Sequence, residues 1–417
     1  MARLILFIYD LLWNTLVWPC IPILKWHNNF NGTIWQRLGL RMPYIPGTKE
    51  VMWLHASSVG EVKAVAGLVK RLKAKRPGLF IMITSMTATG RDIAAKELPC
   101  DIVLPFPFDI SWVMQRYLKK TNTSILAIVE TEIWPNLILK AKKNNTKVVF
   151  INARLGKKAF GRYSNLQQLF KFILKDTHVL ALSKDDAERF SSLGASYVTC
   201  LGNLKLDSIH MADLDIAEVL KKELGVDNRP VFIAGSIREG EEKYVVDAVK
   251  HAMGKSTDML SILAPRHASS SRILARLLDD AGLRWTFKSN YDKGQAKNID
   301  VVIVDTFGEL FYLYGASDVA FVGGSLVDLG GQNILEPLAW GIPTMHGPYM
   351  ENFAWALEVV GAFTIKVSSP GELGRYLVDT LENLDNNRAR AMKARDALNE
   401  SMGITDDYVN ALNALLG

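Results

Sequence analysis

Residues 319–348 read VAFVGGSLVDLGGQNILEPLAWGIPTMHGP. An unbroken apolar run, Val319 to Val322, enters Gly323-Gly324-Ser325 without polar alternation, as a strand buried on both faces does. A second glycine pair, Gly330-Gly331, precedes Gln332-Asn333. A helix pattern then opens at Ile334, with Glu336 and Pro337 in its first turn. Glycines between a strand and a helix start let the backbone come close to a ligand, and a helix N-terminus offers unpaired N–H groups to an anion or a ribose. The stretch predicts a strand–turn–helix unit of a parallel α/β sheet, with a ligand at the turn.

The same unit recurs upstream. Val51 to His55, Phe80 to Thr84, Asp101 to Pro105, Ile125 to Val129, Val148 to Ile151, Val179 to Leu182 and Tyr197 to Leu201 read as short buried strands, with helical patterns between them. Val62 to Arg76 reads as one apolar-periodic, Lys/Arg-rich helix. Asp207 to Arg229 is polar and helical and reads as a linker. The alternation restarts at Val231 to Ala234, Met259 to Ala264, Val301 to Val304, Val319 to Val322 and Pro343 to Met345, and helices close the chain. Alternating strands and helices imply parallel βαβ units. Two doubly wound halves joined by a linker predict a cleft, with ligands at the carboxyl ends of the strands. Nearly every polar motif of the chain falls at such an end.

Length and charge limit the function classes. The 417 residues suffice for two domains, and 49% hydrophobic with 22% charged residues is a globular composition. A formal net charge of +6 suits an anionic partner such as a nucleotide or a phospholipid surface. No long basic run interleaved with aromatics exists, so nucleic acid is not expected. Cys20, Cys100 and Cys200 lack metal-ligand spacing and read as free thiols. Near the N-terminus, Leu4 to Leu24 is apolar except for Asp10, Asn14, Thr15 and two prolines, close to the ~20 residues a bilayer requires. Asp10 and Asn14 weaken the case for a clean span. Trp13, Trp18 and Trp26 suit an interface, so a membrane anchor or an interfacial helix is expected. Lys25, Arg37 and Arg41 then put the globular part on the cytoplasmic side.

Several residues carry candidate chemistry. Glu61 stands at a helix start after a strand, where it is either a dipole-stabilising first-turn acid or a general base. Glu130 and Glu132 follow a buried strand and would point to one side if the backbone stayed extended. Lys205 follows a glycine turn and could stabilise developing negative charge. Arg266-His267, stiffened by Pro265, offers donors to an anion, and Glu336 could accept from a ribose. Gly235 and Gly240 have phosphate-loop spacing, but Glu241 and Glu242 stand where that loop requires Lys and Ser/Thr, so an ATPase is not expected. No dinucleotide fingerprint and no metal-ligand motif is found. Basic residues from Lys63 to Arg76 and from Arg154 to Lys175 suit an anionic lipid or leaflet.

His55-Ala56-Ser57-Ser58-Val59-Gly60-Glu61, Thr87-Ala88-Thr89-Gly90, Glu130-Thr131-Glu132-Ile133-Trp134-Pro135-Asn136, Asn152-Ala153-Arg154-Leu155, Phe321-Val322-Gly323-Gly324-Ser325 and Asn333-Ile334-Leu335-Glu336 together resemble the Kdo transferases, the lipid A 3-deoxy-D-manno-octulosonic acid transferases. The resemblance runs in order along nearly the whole chain. It implies an α/β GT-B fold of two Rossmann-like domains with an N-terminal membrane-associated helix. The expected division is an anchor at 1–40, an acceptor domain at 41–210 and a donor domain at 211–417, whose last helices cross back to the first. It further implies an inverting, metal-independent glycosyltransferase without cofactor, which moves Kdo from CMP-Kdo to a tetra-acylated lipid A precursor at the cytoplasmic face of the inner membrane. Glu61 then resembles the general base, and Glu130 and Lys205 the transition-state supports. Pro265, Arg266, Phe307, Gly308, Glu309, Asn333, Ile334, Leu335 and Glu336 resemble the CMP-binding segments. Gln332 and Ile237-Arg238 depart from the family's usual His and Thr-His. A GT-B enzyme using a UDP-sugar and a non-catalytic lipid-binding module are the alternatives.

Overall fold

The structure is a computed structural model describing residues 2–27, 29–45, 50–226, 229–255 and 258–417. The chain divides into two compact units, one of Met1–Ser208 with Met402–Gly417 and one of Ile209–Ser401.

Unit one is built on seven parallel strands: β1 (Val51–His55), β2 (Phe80–Ser85), β3 (Ile102–Pro105), β4 (Thr123–Val129), β5 (Lys147–Ala153), β6 (His178–Ala181) and β7 (Tyr197–Cys200). Their order is β3-β2-β1-β4-β5-β6-β7. All five residues of β1 are buried, because helices cover both faces of the sheet. Its one indole donor, Trp53 Nε1, is satisfied by Thr84 Oγ1 at 2.9 Å. The winding reverses between β1 and β4, so their carboxyl ends flank a topological switch point.

Unit two repeats the plan with β8 (Val231–Ile237), β9 (Leu260–Pro265), β10 (Trp285–Phe287), β11 (Val301–Ile303), β12 (Val319–Val322), β13 (Thr344–His346) and β14 (Ile365–Lys366), ordered β10-β11-β9-β8-β12-β13-β14. Here β8 and β12 flank the switch point. The two parallel sheets bear out the α/β architecture expected from the sequence. The edge strands β10 and β14 were not expected: they are three and two residues long and carry no apolar run.

Three segment readings need correction. The expected helix Val62 to Arg76 is two helices, Val59–Ala64 and Ala66–Lys75, broken at Val65. Strand β8 runs past Ala234 to Ile237 through an irregularity at Ser236, whose φ is +56°. The segment read as a linker packs onto unit two, with Ala212, Leu224 and Val226 buried in its core. It forms the helix Ala217–Leu224, ended by left-handed Gly225. At the other end of the chain, helix Ile404–Leu416 belongs to unit one. Tyr408 Oη donates to Leu180 O and Gly202 O, and both Asp207 carboxylate oxygens accept N–H groups at the helix start.

The N-terminal helix Ala2–Leu24 is long and apolar enough to cross a membrane. Its polar residues, which argued against a clean span, have a job in the fold. Tyr9 Oη donates to Asp109, Asp10 accepts from the Ser111 N–H and Asn136 Nδ2, and Asn14 accepts from Trp112 Nε1. One side of the helix is thereby fastened to unit one. Leu4, Phe7, Leu11, Leu16 and Ile23 on the remainder are each at least half exposed.

Candidate active site

At the carboxyl end of β1 the chain turns through Ala56-Ser57-Ser58 into helix Val59–Ala64. Ser58 caps it, its Oγ accepting the Glu61 N–H. The Glu61 carboxylate reaches back, accepting from Ser57 N–H at 2.7 Å and Ser58 Oγ at 2.9 Å. This Ser-x-x-Glu closure is worth about 1 kcal/mol as a helix cap. It leaves Glu61 half-buried. Burial pushes its pKa up to about 7, the Ser57 and Ser58 donors pull against that, and the negative charges of Glu130 and Glu132 add to it. A carboxylate that titrates near neutral pH is matched to general-base work.

Glu130 leaves β4 on the other side of the switch point, in the left-handed region at φ +58°. Such a conformation costs of order 1–3 kcal/mol in a residue with a side chain and is held by its surroundings. Here the Glu130 N–H is bonded to Ile151 O. Lys205 Nζ lies 3.6 Å from Glu130 Oε1. Lys205 sits in the turn Leu204–Ser208, pinned by Asn152 Oδ1, which accepts the Leu204 N–H, and by Asn203 Oδ1, which accepts its own. The left-handed turn at Glu130 breaks the alternation that would have placed it beside Glu132. Glu132 instead accepts from Trp134 Nε1 at 2.7 Å and lies 3.1 Å from His55 Nε2. Burial opposes its ionisation, yet the bonds from His55 and Trp134 and the His55 interaction hold it below the usual carboxylate range. Two neighbouring glutamates thus have pKa values driven apart, one ionised and one poised, a division found in acid–base sites. The contributions of His55, Ser57 and Ser58 were missed in the sequence reading. The hydroxyl pair ahead of a first-turn Glu was the available signal, since it is a capping box.

In unit two a cavity of about 330 Å³ opens at the ends of β8, β9 and β11, lined by Ser236, Pro265, Arg266, Arg272, Thr306 and Phe307 among others. Of the residues expected at a nucleotide, Pro265, Arg266, Phe307 and Gly308 line it. Two guanidinium groups in one small cavity suit a phosphate. Phe307, 89% exposed beside it, offers a free aromatic face. Glu309 accepts from Thr306 Oγ1 and faces Lys288 at 3.8 Å. Asn333 to Glu336 do not line the cavity. Asn333 Nδ2 donates to Glu336 Oε1, and Ile334 and Leu335 are buried in the core. Burial raises the Glu336 pKa, opposed by Asn333 and by the charge of Arg266.

The glycine turn after β12 requires a correction. Its backbone was expected to come close to a ligand, but the N–H groups of the turn hold a side chain of the protein. The fully buried Glu241 accepts from Gly324 N–H (2.6 Å), Ser325 N–H (2.9 Å), Leu326 N–H (2.8 Å) and Arg238 N–H (2.9 Å). A Cβ on Gly323 would stand 2.5 Å from Ser236 O, so this glycine serves the close approach of β12's turn to β8. Glu241 occupies the place of the lysine in a phosphate loop and supplies the anion itself.

The model of the 3-deoxy-D-manno-octulosonic-acid transferase (kdotransferase) family matches residues 33–208. The chain is 30% identical over 380 residues to the 3-deoxy-D-manno-octulosonic acid transferase of Haemophilus influenzae, covering 88% of this chain and 87% of that protein. It is 34% identical over 315 residues to a bifunctional glycosyltransferase/methyltransferase of Fusobacterium nucleatum, covering 73% of this chain and only 48% of that longer protein. Among solved structures it is similar to a glycosyltransferase from Rickettsia africae, at 14% identity and a TM-score of 0.57, over 88% of this chain and 99% of that one. At that identity the likeness speaks for the fold.

Proposed function

Since this chain belongs to the 3-deoxy-D-manno-octulosonic acid (Kdo) transferase family, glycosyltransferases of lipopolysaccharide synthesis, we propose that it moves Kdo from CMP-Kdo to a tetra-acylated lipid A precursor. Glu61 acts as general base. It takes the proton of the acceptor hydroxyl, whose oxygen attacks the anomeric carbon of Kdo as the bond to the CMP phosphate breaks, and the configuration inverts. The single observation that carries this reading is the Glu61 carboxylate, raised to about 7 by burial at the switch point of unit one and flanked by Glu132, which is held ionised. Glu130 and Lys205 form the adjoining ion pair, and Lys205 supplies positive charge as negative charge develops.

The CMP moiety goes to the cavity of unit two, where Arg266 and Arg272 face its phosphate and Phe307 stacks on the base. The acceptor is an anionic lipid. The exposed apolar side of helix Ala2–Leu24 lies in the cytoplasmic face of the inner membrane. Helix Gln167–Leu174 packs against it. The preceding helix Lys157–Ser164 buries no side chain and presents Lys157, Lys158 and Arg162 to the leaflet. Incubation with CMP-Kdo and the tetra-acylated precursor should give a lipid heavier by whole Kdo units on mass spectrometry. Transfer from a UDP-sugar and none from CMP-Kdo would overturn the assignment.

A further inference from the structure

Along the N-terminal helix runs an open apolar cavity of about 440 Å³, walled by the half-exposed Leu12 and Leu16 and by Trp13, Cys20, Phe30 and Phe108 among others. The one hydroxyl among its wall residues, on Tyr9, is bonded to Asp109. An apolar space of about 150 Å³ is enough to hold benzene, so this one has room for roughly three times that bulk. Nothing in its walls would satisfy a polar ligand. Hydrocarbon is the chemistry that fits.

The cavity is joined to the catalytic cluster by three residues of chain. Phe106 stacks on His55 at 3.9 Å, and His55 is the partner of Glu132. Two residues on, Phe108 forms the cavity wall and stacks on Phe30 at 6.1 Å. Their Cα atoms are at most about 7 Å apart. The next residue, Asp109, fastens the helix through Tyr9. The fully buried Arg37 fixes this segment from behind. Its Nη1 donates to Phe106 O at 2.7 Å, its carbonyl accepts the Phe108 N–H at 3.0 Å, and its guanidinium lies 4.6 Å over the Phe30 ring.

We propose that this cavity is the binding site for one fatty acyl chain of the lipid acceptor, which sets the distance between that chain and the hydroxyl presented to Glu61. The proposal rests on the acceptor being an acylated glycolipid. A bulk membrane lipid is the less favoured occupant, because the cavity adjoins the catalytic cluster and the outer side of the same helix already offers Leu4, Phe7 and Ile23 to a bilayer.

Cys20→Trp fills the space from the helix side. With the tetra-acylated acceptor its KM should rise at least tenfold. Transfer to the same disaccharide stripped of acyl chains should stay at the wild-type rate, as should co-sedimentation with phosphatidylglycerol vesicles. An unchanged KM, an equal loss with both acceptors, or a loss of vesicle binding in step with the KM would each overturn the proposal. The wild-type protein gives an independent reading that no folding defect can blur. Maleimide labelling of Cys20, followed by peptide mass spectrometry, should be slowed by the acylated acceptor and not by the stripped one; equal labelling in both would also overturn it. If the acylated lipid shields Cys20 but no Kdo is transferred, the cavity stands and the reaction assigned above falls.

Discussion

The first strand of each sheet is followed by the same four-residue pattern, Gly-Glu-x-Lys: Gly60-Glu61-Val62-Lys63 after β1 and Gly240-Glu241-Glu242-Lys243 after β8. Both glutamates stand at a switch point, and their environments give them opposite roles. Glu61 has two donors, one a backbone N–H and one a hydroxyl, and two acidic neighbours that resist its ionisation. Glu241 has four backbone N–H groups and ties the turn after β8 to the turn after β12. Burial raises the pKa of both, but in Glu241 four donors oppose it. A carboxylate left with unused lone pairs and like-charged neighbours can take a proton. One whose oxygens are filled by the main chain is a strut.

The sharpest way to break this contrast is to remove each carboxylate in turn. Glu61→Gln should lower transfer by about 10²–10⁴-fold, the range for losing a general base. The rise in thermal stability with CMP should survive, since CMP is assigned to unit two. Near wild-type turnover would end the base assignment. Glu241→Ala should show its main effect in stability. Four buried N–H groups would lose a charged acceptor, at a cost of about 3 kcal/mol or more in chemical denaturation. An intact midpoint would show that Glu241 is no strut.

The pH dependence separates the two glutamates further. Transfer should rise with pH through about 7 as Glu61 deprotonates, and the Gln variant should lack that limb. Stability should move the other way. Folded Glu61 holds its proton up to about 7 against an ordinary 4.5, so its contribution is fully present below about 4.5 and is lost as pH rises through about 7. Comparing wild type and Glu61→Gln by denaturation at pH 4 and pH 8 isolates this contribution. The smallest effect is expected from Ser58→Ala, which removes the helix cap for about 1 kcal/mol. It also removes a donor that favours the ionised form, so the midpoint of the pH–rate curve should shift upward. A downward shift would contradict the bonding at Glu61.

The central strands were legible because a parallel strand buried on both faces is an uninterrupted apolar run, as in Val51 to Leu54 and Val319 to Val322. Strands β10 and β14 were not, since two or three residues at a sheet edge hold too little apolar pattern. Asp207 to Arg229 read as a linker because its charged residues dominate the string, while Ala212, Leu224 and Val226 pack onto the core. In the candidate site, Glu61 was visible as a first-turn acid after a strand. The split between Glu130 and Glu132 was hidden in one backbone torsion.

The two α/β halves, and their strand ends as the place for polar chemistry, were legible in local periodicity, and the family in a resemblance carried by short motifs. Both signals lie in residues near one another in the chain. Which of the two Gly-Glu turns keeps a carboxylate with unused lone pairs was decided in the tertiary structure. Three of the four N–H groups that hold Glu241 lie 83 to 85 residues away, and the acids that add to the effect of burial on Glu61 follow another strand. Likewise Asp10 and Asn14, costly in a bilayer, became docking residues only once the folded unit brought Ser111, Trp112 and Asn136 to them. Donors and charges act through space, so a residue's chemistry is fixed by neighbours that its own stretch of chain does not contain.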